Sequence, residues 1–188
     1  YVAGLLRDSF GTVMAANHVT LNSAISSCEK CHRWQLAASL LAGMQRARLR
    51  KDVVSYSAAI SACQKGHQWH TAVAFLRGML NETIAPNLIT YNAAVSACDK
   101  GEQWHLAVEL LREISARAIL PDVVSYNSAI GACARGKQST TAVLLFREML
   151  EAREEPDIVS YTVVVGACEA RSHWHIAADA LRELPCKG

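Results

Sequence analysis

The chain has 188 residues, of which 51% are hydrophobic, and its 19 Lys and Arg exceed its 17 Asp and Glu for a formal charge of +2. That composition supplies a continuous apolar core but gives only weak support for a nucleic-acid partner on charge alone. Apolar runs are short and broken by charges, which excludes a membrane-spanning helix.

One stretch organises the rest. VVSYSAAISACQKG from Val53 returns as LITYNAAVSACDKG from Leu88 and as VVSYNSAIGACARG from Val123. Looser copies begin at His18 and Ile158, and each start falls 35 residues after the last. A fixed period in the range of about 20–50 residues marks a stacked array. Residues 1–17 match the back half of a unit: Leu5-Leu6-Arg7-Asp8 aligns with Phe75-Leu76-Arg77-Gly78. Four full units follow at 18–52, 53–87, 88–122 and 123–157, and residues 158–188 begin a fifth. Because the chain starts at Tyr1 in mid-pattern, it is expected to be a fragment, with any targeting segment outside it.

Each unit predicts two helices. Ser55 and its equivalents Thr20, Thr90, Ser125 and Ser160 are expected as N-caps of the first helix. Tyr56, Ile60 and Cys63 then follow at i, i+4, i+7, which places them on one face; Tyr91/Val95/Cys98 and Tyr126/Ile130/Cys133 repeat the pattern. Gly66, Gly101 and Gly136 stand where that helix should end. In the second helix Trp69, Ala72, Leu76 and Met79 recur as Trp104, Ala107, Leu111 and Ile114. Pro86, Pro121 and Pro156 close their units in a turn, and Lys51, standing in for Pro, is expected to loosen the first of these turns. A helix pair of this size cannot bury its apolar face alone, so neighbouring pairs must stack into a superhelix. The small Ala37, Ala72, Ala107, Ala142 and Ala177 column would allow close approach.

Five of the seven cysteines (Cys28, Cys63, Cys98, Cys133, Cys168) share one repeat column. Stacked helices stand roughly 10 Å apart, too far for a disulfide, so these read as buried, reduced thiols. Cys28-Glu29-Lys30-Cys31-His32 has the spacing of a c-type haem attachment, but the repeat column already accounts for Cys28. Trp69-His70, Trp104-His105 and Trp174-His175 pair a core indole with an imidazole turned about 100° away, a poor metal site without acidic or thiol partners. Arg77, Arg112, Arg147 and Arg182 form a solvated column on the second helix, an outer face open to protein partners. No phosphate-binding glycine loop, carboxylate pair or nucleophile motif supports an enzyme, and no cofactor or metal is expected.

A second stripe on each first helix is small or polar: Ser57, Ser61, Gln64; then Asn92, Ser96, Asp99; then Asn127, Gly131, Ala134. Beside it runs a basic column, Lys30, Lys65, Lys100 and Arg135, which Ala170 interrupts in the last unit. Charge is biased to the N-terminal side: the four full units sum to +4, +1, −2 and −1.

A 35-residue helix pair opening V-[ST]-Y-[NST] and closing P-D or P-N resembles the pentatricopeptide repeat, across essentially all of the chain. The tetratricopeptide repeat differs in its period of about 34 and in its Trp/Gly/Tyr pattern. The resemblance implies an all-α, right-handed superhelical solenoid of helix-turn-helix repeats that binds single-stranded RNA, one base per unit. In that family the fifth residue of a unit faces the base edge, the last supports it, and the second sandwiches the base. Carried over, Asn22 with Asp52 favours uracil, Ser57 with Asn87 adenine, and Asn92 with Asp122 and Asn127 with Asp157 uracil. Thr162 begins a purine-type pair, and Asn17 is the remaining half of an earlier pair. Val19, Val54, Ile89, Val124 and Val159 are the sandwich residues, and Lys30, Lys65, Lys100 and Arg135 are the expected phosphate contacts. The implied core is 5′-U-A-U-U-3′, and the implied setting is RNA processing, stability or translation in a mitochondrion or chloroplast. Four aliphatic sandwiches bind weakly, on the order of micromolar or worse, so adjacent repeats outside the chain are expected to add affinity. The competing class is a tetratricopeptide-like scaffold for protein–protein interaction. Such a scaffold would carry large apolar residues or clamps on its inner face instead of paired Asn, Ser and Asp.

Overall fold

A computed structural model describes residues 18–169. Among these residues the chain forms nine α-helices and no strand. They are α1 (His18–Lys30), α2 (Trp34–Arg46), α3 (Val53–Lys65), α4 (Trp69–Asn81), α5 (Leu88–Lys100), α6 (Trp104–Ala116), α7 (Val123–Arg135), α8 (Ser139–Glu151) and α9 (Ile158–Glu169). The chain divides into two compact units, residues 1–86 and 87–188. In the first, α1 packs on α2 and α3, and α3 packs on α2 and α4. In the second, α5 packs on α6 and α7, α7 on α6, α8 and α9, and α8 on α9. Helices α1, α3, α5 and α7 thus each lie against their own partner, and α1, α5 and α7 each lie against the next odd-numbered helix of the same compact unit. This is an all-α helical-repeat solenoid.

The stacking columns form the core. Tyr56, Ile60, Cys63, Tyr91, Val95, Cys98, Tyr126, Ile130 and Cys133 are all buried, as are Ala37, Ala72, Ala107 and Ala142. Each fully buried Ile, Val or Met of these columns contributes about 1.5–3 kcal/mol relative to exposure. Ala177 lies outside the described residues. The six described cysteines carry free thiols, five of them buried and Cys31 exposed. Burial pushes the Cys63 and Cys98 thiols up to about 12 and Cys133 to about 11. At pH 8 a thiol with such a pKa is about one part in a thousand to one in ten thousand thiolate, the reactive form. Maleimide labelling of the native protein, mapped by mass spectrometry, will therefore find Cys31 modified while Cys28, Cys63, Cys98, Cys133 and Cys168 react only after denaturation.

Two sequence expectations are corrected. The first concerns the helix start, which lies three residues earlier than expected. Asp52, Asn87 and Asp122 are the N-caps, accepting the N–H of Ser55, Thr90 and Ser125 at 2.8, 2.9 and 2.9 Å. Ser55 and Ser125 are the N3 residues of a capping box, their Oγ accepting the N–H of Asp52 and Asp122 in return. An acidic or amide side chain at this place satisfies an orphan helix donor and complements the positive helix end.

Gly66, Gly101 and Gly136 end their helices where the sequence places them. Gly66 and Gly136 end α3 and α7 with φ of −88° and −74°, so no left-handed turn requires them. The left-handed residues come one position later: His32, His67, Glu102 and Lys137, with φ near 56–58°. Glycine is needed for space, because a Cβ on Gly66 would meet the Trp34 indole and one on Gly136 the Trp104 indole. Trp34 and Trp104, the first residues of α2 and α6, are thus seated on the ends of α3 and α7. Gln68, Gln103 and Gln138 close the same corner, donating Nε2–H to the carbonyls of Gly66, Gly101 and Gly136 at 3.1–3.3 Å.

The second correction concerns Lys51, which ties its turn instead of loosening it. Its ammonium is buried, donates to Tyr56 Oη at 3.0 Å and is paired with Glu82. Burial alone would lower the ammonium pKa, but the bonds to Glu82 and Tyr56 more than offset it and hold the value above the ordinary one. A charge taken out of water persists only with partners of this kind.

Candidate nucleic-acid interface

The polar stripe and the residues that start each odd-numbered helix come together on one side of the helix pairs. At the second helical position of each, a β-branched residue projects into solvent: Val19 is 56% exposed, Val54 56%, Ile89 66%, Val124 55% and Val159 54%. Exposure this uniform in residues of this kind is unusual for a solvated surface, where single scattered hydrophobics are the norm. Between Val19 and Val54 lies a groove of about 590 Å³, lined also by Asn22, Ser23, Lys30 and Asp52.

Three Asn–Asp pairs stand beside this column. Asn22 Nδ2–H donates to the Asp52 carboxylate oxygens at 3.1 and 3.0 Å. Asn92 donates to Asp122 at 3.0 Å and Asn127 to Asp157 at 3.0 Å. The Asp that caps one helix therefore also holds the Asn of the preceding odd-numbered helix, because the cap sits beside the fifth residue when two units stack. The Ser160 backbone N–H is the main reason that the Asp157 carboxyl is held below the usual carboxylate range, and Asn127 assists. The Asn22 and Asn92 amides can still offer a donor and an acceptor to a planar ligand, whereas Asn127, its Oδ1 enclosed, offers its N–H.

Ser57 is half-buried on α3, and Asn87 caps α5. They belong to separate compact units. Thr162 lies exposed on α9 with its hydroxyl donating to the Ile158 carbonyl at 2.7 Å. Asn17 falls outside the described residues.

The basic column is not a row of bare charges. Lys65 Nζ lies 3.0 Å from Glu29, and Arg135 is paired with Asp99. Lys30 is exposed and lines the groove, and Lys100 is half-buried with interactions of its own. The composition of the stripe gave no sign of these pairings. Their signal was an acid in the last turn of one first helix matched 36 residues later by a base: Glu29 with Lys65 and Asp99 with Arg135. Asp99 is largely enclosed, and burial raises its carboxyl above the ordinary range despite the pull of Arg135. Gly131 makes that enclosure possible, since a Cβ there would come 2.9 Å from Asp99 Oδ1. The exposed His70 and His105 fold back onto Trp69 and Trp104, with ring centroids 3.3 Å apart. Among the described residues no group of three or more His, Cys, Asp or Glu could hold a metal ion.

Helix pairs in a 35-residue register, with capping Asp or Asn behind exposed β-branched residues, define the class as helical-repeat solenoids. Family models agree in detail: PPR repeat family matches residues 86–135 and 121–169, pentatricopeptide repeat domain 39–100, and PPR repeat 19–49. The chain belongs to the pentatricopeptide repeat family. No curated protein sequence matches it. Among solved structures it is similar to the PPR domain of Arabidopsis thaliana protein-only RNase P 1 in complex with tRNA. That match has a TM-score of 0.79 at 15% identity and covers 90% of this chain and 89% of that one. It is similar also to the pentatricopeptide repeat protein PPR10 in complex with an 18-nt psaJ RNA element (TM-score 0.75, 20% identity, 95% of this chain). A third similar structure is nuclear proteinaceous RNase P 2 of A. thaliana, with a TM-score of 0.78, 13% identity, and 88% of this chain and 37% of that one covered. This chain spans 27% of the PPR10 chain.

Proposed function

We propose that this protein binds single-stranded RNA sequence-selectively, one base per 35-residue unit, with the core 5′-U-A-U-U-3′. The observation that carries this reading is the threefold recurrence of an Asn–Asp pair at 3.0–3.1 Å, Asn22–Asp52, Asn92–Asp122 and Asn127–Asp157. Two further features support it: the exposed Val and Ile residues that flank the pairs, and RNA as the ligand of two similar solved structures. In this reading a base slides between consecutive residues of the column Val19, Val54, Ile89, Val124 and Val159, and its Watson–Crick edge meets the amide. Ser57 with Asn87 accepts adenine, since the shorter hydroxyl leaves room for a purine. Thr162 and Asn17 belong to the bases at either end. Lys30 is the principal phosphate contact, and Lys65, Lys100 and Arg135 contribute the charge left over from their own interactions. The 35-residue units themselves, 18–52 through 123–157, are the base-reading modules. RNA processing, stability or translation in a mitochondrion or chloroplast is the setting that family likeness favours.

Titration of the 188-residue chain into a labelled RNA containing UAUU, into a scrambled RNA and into the DNA analogue tests the proposal. UAUU is expected to bind at least about tenfold tighter than the scrambled RNA, the discrimination from one or two well-made base contacts. Affinity for each should fall as salt rises, through release of condensed counterions. Equal and negligible binding to all three would return the protein to the scaffold class.

A further inference from the structure

The base-reading pairs have a third member. Ser55 Oγ lies 2.7 Å from Asn22 Oδ1, and Ser125 Oγ lies 2.5 Å from Asn92 Oδ1. Both hydroxyls are completely buried, and both come from the next odd-numbered helix, α3 for Asn22 and α7 for Asn92. Each is also within reach of the capping carboxylate, Asp52 Oδ1 at 2.7 Å and Asp122 Oδ1 at 2.9 Å. A seryl hydroxyl has one proton to give. The carboxylate oxygen already accepts the serine's own N–H and the Asn Nδ2–H. The proton is therefore best spent on the amide oxygen, where it satisfies an otherwise unpaired acceptor.

We propose that Ser55 and Ser125 are positioning residues of the base-reading sites, fixing the amide planes of Asn22 and Asn92 and thereby setting their preference for uracil. The inference rests on the RNA reading above and extends it to a residue outside the Asn–Asp pair. An amide anchored only through Nδ2 is a hinge, free to turn about that bond. Anchored through Nδ2 on the carboxylate and Oδ1 on the hydroxyl, it is a fixed plane with one N–H and one lone pair left over. Uracil presents an N3–H donor beside a carbonyl acceptor, which that remaining pair complements in a single orientation. Cytosine presents an N3 acceptor beside an N4 amine, so a turning amide accommodates it more readily.

The third pair supplies an internal contrast. Ser160 Oγ lies 2.9 Å from Asp157 Oδ1, and the enclosed Asn127 Oδ1 has no hydrogen-bond partner. The amide there is held from one side only. Ser160 should accordingly matter less to its base than Ser125 does to its own.

The test compares the affinity of the full chain for a UAUU RNA with that for RNAs carrying cytosine at the third or the fourth base. Ser125→Ala is expected to lower the preference for uracil at the third base about fivefold, which corresponds to about 1 kcal/mol, one ordinary hydrogen bond. Ser125→Thr keeps the hydroxyl and is expected to keep the preference; Thr90 already occupies this place in α5, so the fold accepts the extra methyl group. The backbone N–H that Asp122 accepts is untouched in both variants, so α7 keeps its start. Ser160→Ala should leave the preference at the fourth base within about twofold. An unchanged ratio in Ser125→Ala, or an equal loss in Ser125→Thr, overturns the inference. If the unaltered chain shows no preference for uracil at the third base, it is the base-reading assignment that fails, and the serines have nothing to position.

Discussion

The double substitution Asn92→Ser with Asp122→Asn will move the preferred third base from uracil to adenine. The two replacements copy what the chain already carries at the equivalent positions, Ser57 and Asn87. Helix α7 should tolerate the exchange, because Asn87 caps α5 through the same side-chain oxygen, accepting the Thr90 N–H at 2.9 Å. What changes is the pair presented to the base. Asn92 now holds an amide at 3.0 Å from Asp122, with a donor and an acceptor for a pyrimidine edge. Serine withdraws that edge by the length of an amide and opens room for the larger ring. A well-made base contact is worth about 1–3 kcal/mol of discrimination. The ratio of uracil to adenine affinity at that base should therefore invert, with a total change of about tenfold or more. Fluorescence anisotropy with RNAs that differ only at the third base reads it directly. Retention of the uracil preference would remove the base-reading role of both residues.

Gly136→Ala will destabilise the fold, against the sign that backbone arguments alone give. With φ of −74°, Gly136 occupies a conformation open to any residue, and alanine there would ordinarily stabilise by about 0.4–1 kcal/mol through the unfolded chain. The added methyl, however, would lie 2.9 Å from Trp104 Cγ and 3.2 Å from Trp104 Cβ, besides meeting Cδ1. An indole fixed at the start of a helix cannot retreat as a flexible chain end can. Overpacking of this kind costs about 1–3 kcal/mol, and in a chain of this length each kcal/mol lowers the melting temperature by about 2–4 °C. Thermal denaturation followed by circular dichroism measures the loss. Combining Gly136→Ala with Trp104→Leu should recover part of it, a coupling that a double-mutant cycle quantifies. Gly66 stands in the same relation to Trp34, so the effect should repeat there.

The repeat period, the two helices per unit and the buried Tyr, Ile, Val, Cys and Ala columns were legible because burial imposes the same demand on every unit. A residue facing the stack must be apolar or small each time it recurs, and recurrence is what a sequence displays. The Asn and Asp positions were legible for the same reason, with family likeness supplying their meaning. Ser55, Ser125 and their equivalents were visible but misplaced: a hydroxyl residue at a helix start suggests a cap, and the true cap lay three residues earlier.

What the sequence left undecided are the bonds that join one unit to the next. Lys51 suggested a looser turn, yet stacking brings Glu82 and the Tyr56 hydroxyl to its ammonium and makes that turn the tighter for it. Lys65 and Arg135 suggested phosphate contacts, and stacking gives them Glu29 and Asp99. Gly66 and Gly136 marked helix ends, and stacking shows an indole in the space that a Cβ would fill. The sequence by itself determined the repeating helix pair, the face that each helix buries and the residues offered on the open side. Only the tertiary structure decided how that open side is wired, because its contacts join residues some 30–36 positions apart. Such contacts exist only once two units have stacked, and a periodic pattern carries no record of the rise and rotation between them.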